Sequence, residues 1–121
     1  MSKVLKWRSH EFQTSCGKTP EFLKLAREFK SEFKENIQAV NLVIERIDVS
    51  HFEISGFVKN SANNKFVYFK IGDVRYFFGK HWLDNILVRV VAGIEDHSAY
   101  TSRNQYTDYV NLPNKILELI Q

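Results

Sequence analysis

Phe22, Leu25, Ala26, Phe29, Phe33, Ile37 and Val40 recur at intervals of three and four, so they fall on one stripe of a helix. The positions between them hold Lys24, Arg27, Glu28, Lys30, Glu32, Lys34 and Glu35, a run balanced in sign, as a solvated face is. Thr19 suits the N-cap, Pro20 the first turn, and Glu21 the positive end of the helix dipole. Ordering some twenty residues costs more than burying this stripe returns, so the helix must dock on something. Whatever else the chain forms has to offer an apolar surface that long.

Beyond Val43 the period changes to two. In "IERIDVSHFEISGFVKN", Ile47 and Val49, then Phe52 and Ile54, alternate with polar residues. The parity slips between Val49 and Phe52 and again at Phe57–Val58, which predicts bulges or a strong bend. "NSANN" at 60–64 reads as a loop and "KFVYFKI" as the next strand. Gly72-Asp73 is a two-residue hairpin signal ahead of a strand "VRYFF", and "NILVRVVA" at 85–92 gives another. "LPNKILELI" predicts a short closing helix with Pro113 near its start.

The expected fold is therefore α+β, a long N-terminal amphipathic helix packed on an antiparallel meander of three to five strands, with a short C-terminal helix. Phe29 and Phe33 should touch the 65–71 strand. A chain of 121 residues is expected to form one domain, 1–121, in which residues 1–18 pack on the core through Trp7 and Phe12. The 44% hydrophobic and 14% aromatic content, with ten Phe and five Tyr, excludes a disordered chain.

Cys16 is the only cysteine, so neither an internal disulfide nor a thiolate zinc cluster is available. "MSKVLKWRSHEF" has no apolar stretch of signal-peptide length, and no run approaches a membrane span. These features lead to the expectation of a soluble, cytoplasmic protein with no membrane partner.

Catalytic templates each lack a member. Asp48, His51 and Glu53 are the one metal or acid–base cluster the spacing suggests, and a hydrolase built on them is an alternative reading. A metal-dependent nuclease of the D/E-x-K kind would need an acid where Tyr68 stands in Tyr68-Phe69-Lys70. The E-x-K triplets Glu28-Phe29-Lys30 and Glu32-Phe33-Lys34 fall on the helix instead. Phosphate-binding glycine loops and a nucleophile elbow are absent from the sequence. Cys16-Gly17-Lys18 precedes the capped helix, where an anion competes with Glu21. No cofactor and no catalytic residue is expected.

Recognition remains. Lys59, Lys65, Lys70, Arg75, Lys80 and Arg89 face only Asp73 and Asp84 between positions 59 and 89, and aromatics interleave with them. That composition fits a nucleic-acid-binding sheet, with rings stacking on bases and cations on phosphates. Alternation counters it: Phe66 and Tyr68 share one face and Val67, Phe69 and Ile71 the other, as in a strand covered twice. "EDHSAYTSRNQYTDY" at 95–109 is long, polar and rich in tyrosine, with a turn at Asp96–Ser98 and an irregular or edge strand after it. Tyr100, Arg103, Asn104, Tyr106 and Tyr109 are types enriched where proteins meet partners. The leading expectation is a non-enzymatic binding or regulatory protein of inhibitor or immunity type, as mobile genetic elements carry, with a protein as its partner. Nucleic acid is the alternative partner.

Overall fold

The stripe of apolar residues forms α1, Pro20–Ala39, in the computed structural model, which describes residues 2–12, 19–76, 79–94 and 103–121. The Phe22 N–H donates to Thr19 Oγ1 at 3.3 Å, closing the N-cap. At the other end Asn41 takes φ 63°, so its N–H reaches the Gln38 carbonyl (3.0 Å) and the Leu42 N–H reaches that of Ile37 (3.1 Å). This is a Schellman stop, and Leu42 packs into the core as it leaves.

Five strands follow: β1 Val43–Ser50, β2 Glu53–Asn60, β3 Lys65–Ile71, β4 Ile86–Val91 and β5 Gln105–Thr107. They lie in sequence order with every neighbour antiparallel, and α2, Leu112–Ile120, closes the chain. The fold is α+β, as the sequence indicates.

Both helices lie on one face. Phe29 and Phe33 sit 6.1 and 4.8 Å from the Phe69 ring, the contact expected of the 65–71 strand. Leu112, Ile116 and Ile120 join the same buried cluster as Val58, Val67 and Val88. The N-terminal segment adds an aromatic edge, with Trp7 stacked on Phe12 at 5.5 Å and Phe12 edge-on to Phe22 at 6.3 Å. Glu28 accepts from Trp7 Nε1 (2.9 Å), and Glu32 accepts from Ser2 Oγ and the N–H groups of Lys3 and Val4.

Two strand readings are corrected. The bent strand over 43–60 is a hairpin: Ser50 pairs with Glu53, and His51 and Phe52 make the turn. Phe52 stands at φ 60°, where a bulky residue is strained. Its ring is fully buried, 5.1 Å from Phe22 and 4.3 Å below the Arg75 guanidinium, and these contacts hold it there. The second slip, at Phe57–Val58, is no slip. Both are buried on opposite faces of β2, and the bulge lies on β1, between Ile44 and Arg46. Gly56 accommodates it, because a Cβ there would collide with the Arg46 carbonyl oxygen and lie 2.9 Å from the Phe69 ring.

The hairpin expected at Gly72-Asp73 is also absent, and β3 pairs with β4 instead. Asp73 accepts from the Arg75 N–H (3.0 Å) and pairs with its guanidinium (2.6 Å), an alternative to a strand ladder. Val74 and Arg75 therefore turn, and the Val74 N–H donates to the Phe52 carbonyl at 3.0 Å. Phe77 and Phe78, the end of that expected strand, lie outside the described residues.

Candidate recognition surface

Register decides which side chains share the face opposite the helices. Arg46 pairs with Phe57, Phe57 with Tyr68, and Tyr68 with Arg89. Asn104, just before β5, completes this row by accepting from Arg89 Nη1 at 3.2 Å. A second row runs Asp48, Ser55, Lys70, Leu87, Tyr106, and a third holds Lys59, Phe66 and Val91. Among the described residues no helix covers this face.

Its centre is nonetheless dry. Phe57, Arg89 and Val91 are buried but stand outside the helix-side core cluster, and Arg89 is 0% exposed. The Arg89 guanidinium lies 5.1 Å from the Tyr68 ring, which lies 5.2 Å from Phe57. Around this centre Phe66, Tyr68, Lys70 and Leu87 are half-buried. Lys59 Nζ stands 5.8 Å over Phe66, a cation–π contact. Carboxylates sit among the cations: Arg46 pairs with Asp48 (2.9 Å) and Lys70 with Glu53 (3.6 Å).

The sequence-predicted residues fall into distinct places. Tyr106 is 57% exposed at the rim of this face, Arg103 is exposed and Asn104 half-buried beside it. Tyr109 belongs to the core. Its ring lies 6.0 Å from Phe29, its N–H donates to the Leu83 carbonyl (2.7 Å), and burial, with the Glu32 charge, pushes its phenol well above the usual range. Tyr100 and the expected turn at Asp96–Ser98 lie outside the described residues, as do Cys16, Gly17 and Lys18.

The six cations of the nucleic-acid reading divide similarly. Arg89 is inside, and the Arg75 side chain is 6% exposed against Asp73. Burial raises the Asp73 carboxyl, but the Arg75 hydrogen bonds and charge outweigh that and hold it below the usual range. Lys59 and Lys70 share the open face, Lys65 is exposed at the start of β3, and Lys80 is exposed in the connection to β4. The rings Phe66 and Tyr68, read as enclosed on both sides, keep part of their surface, whereas Val67, Phe69 and Ile71 are sealed.

Asp48, His51 and Glu53 do not gather. Asp48 and Glu53 take separate cationic partners and His51 sits in the hairpin turn. Among the described residues no three His, Cys, Asp or Glu side chains come close enough to hold a metal ion. No described helix is long and apolar enough to cross a membrane. Arg46, Phe57 and Leu87 escaped the sequence reading. The signal for Arg46 and Phe57 is strand parity, which becomes legible only once the His51–Phe52 turn is known, and Leu87 is placed by the β3–β4 register.

The geometry defines a class: a five-stranded antiparallel meander with both helices on one face and an aromatic–cationic surface on the other. Compared with known proteins, the chain matches no family model, no curated protein and no solved structure.

Proposed function

We propose that the protein is a non-enzymatic binding module that occupies a protein partner's surface with the sheet face opposite α1 and α2, at its β5 rim. The observation that carries this reading is Tyr106, 57% exposed on a three-residue edge strand beside half-buried Leu87 and Asn104 and exposed Arg103. A tyrosine with a wet ring over an apolar neighbour, flanked by an arginine and an amide, is the composition of an interface anchor. Mixed charge on the face favours a protein over a polyanion, since Asp48 and Glu53 offset Arg46 and Lys70. Affinity capture from the native host tests it. A protein should be retained after nuclease treatment and lost when Arg103 and Tyr106 are both changed to Ala, with the melting temperature held. A large fall in melting temperature would make these side chains structural and sink the reading.

A second reading rests on Phe66 and Tyr68, half-buried beside Lys59 and Lys70. Rings and cations in that arrangement suit single-stranded nucleic acid. Its mark is salt-sensitive retention on heparin and a mobility shift of single-stranded probes. Absence of both at low salt rules it out.

A further inference from the structure

We propose that the groove between α1 and the free edge of β1 takes up an extended, acidic segment of a partner protein by strand addition. Among the described residues β1 is the terminal strand at the side of the sheet away from Tyr106 and pairs with β2 alone. Eight residues long against three for β5, it presents the longer row of backbone donors and acceptors without a ladder partner among the described residues.

Beside that edge α1 raises Lys30, Lys34 and Gln38, spaced by four and so aligned as one ridge. The ridge and residues 42–47 enclose a groove of about 430 Å³. Leu42, Ile44 and Ile47 form its apolar floor, and Val43 at its mouth is 47% exposed. From Lys30 to Lys34 to Gln38 the helix rises about 12 Å, the span of roughly four strand residues. A helix facing an open strand across such a gap is the geometry in which peptides dock as an added strand.

Charge selects the occupant. Lys30 and Lys34 are exposed, and no described carboxylate lies within ion-pairing distance of either; Glu45 and Arg46 line the groove as well, and the lining stays net positive. On an incoming strand every second side chain turns toward α1, and acidic residues at those positions meet the lysines above the apolar floor. A second copy of this chain fits poorly, because pairing two β1 edges brings two such lysine ridges together. The bulge between Ile44 and Arg46 falls among the groove-lining residues and breaks the ladder there, so an added strand pairs along Arg46–Ser50, which stays regular, with its end reaching over the groove.

Panning a displayed random octapeptide library against the full chain tests this. Enriched peptides should carry acidic residues at every second position, on the face turned toward α1. Synthetic versions followed by fluorescence anisotropy should bind at least about tenfold more weakly to K30E/K34E, a loss of about 1.4 kcal/mol or more. Gln38→Trp, which fills the groove, should weaken them likewise, as should N-methylation of alternate peptide amides. Replacing the peptide's acids by Lys should restore binding to K30E/K34E, and the Arg103/Tyr106 double-Ala variant should bind like the parent, separating this site from the opposite rim. No enrichment, binding indifferent to charge reversal or N-methylation, or light scattering that shows a dimer buried through β1 would overturn the proposal.

Discussion

On the helix-bearing side of β3, Val67, Phe69 and Ile71 are sealed among Phe29, Phe33 and the α2 isoleucines. On the other side of the same strand, Phe66, Tyr68 and Lys70 keep part of their surface, although they are no less aromatic. Alternation thus gives one strand two different tasks. One face is filled by hydrocarbon from the helices. The other assembles rings, guanidinium, amide and ammonium groups in rows that cross the sheet, with a buried centre at Phe57 and Arg89 and a wetter margin. The difference teaches that ring content by itself does not identify a core. What separates the faces is what packs on them, and the helix stripe chooses only one.

The sharpest way to break this contrast is to truncate one ring on each side. Phe69→Ala removes the ring that both Phe29 and Phe33 meet and should cost about 3–5 kcal/mol in denaturant unfolding. Tyr68→Ala, one residue earlier, should cost about 1–2 kcal/mol, in the ordinary range for a partly buried side chain. Equal losses would mean that the second face is as much a core as the first. Next in size is Gly56→Ala, expected to cost about 1–3 kcal/mol, because a methyl group drives the Arg46 carbonyl and the Phe69 ring apart. A neutral result would show that the β1 bulge yields freely, and the groove beside it would lose its fixed shape.

Much of the helix side was legible because its signals are local. The three–four spacing of Phe22 to Val40, the Thr19 cap and Pro20 act within a turn or two of themselves. The meander was legible in outline for the same reason, through "NSANN" and the β3 alternation. What escaped depends on distant partners. A turn at His51–Phe52 has no Gly or Asn to announce it, since Phe22 and Arg75 hold Phe52 in its left-handed conformation. Gly72-Asp73 announces a hairpin that Asp73 gives up for Arg75. Of the candidate surface, Asn104 and Tyr106 could be picked out by type. Their union with Lys70, Tyr68 and Leu87 could not, because it rests on the β4–β5 register and on Arg89 reaching Asn104.

The smallest effect concerns pH, and it separates the sheet faces from the connection at their end. His81 accepts the Leu83 N–H at its Nδ1 (3.1 Å) and so starts the 3₁₀ turn Trp82–Asp84, whose Trp82 and Leu83 are buried. Burial pushes its imidazole below the ordinary value and the Arg8 charge adds to this, while Asp84 opposes it. A group that binds its proton less readily when folded contributes stability above its unfolded pKa, about 6.5. That contribution is lost as pH falls through the lower folded value. His81→Asn keeps an acceptor for Leu83 but does not titrate. Between pH 8 and 5 the parent's melting temperature should therefore fall more steeply than that of H81N. Parallel curves would assign the acid sensitivity to another group and leave the connection as indifferent to pH as the apolar face it adjoins.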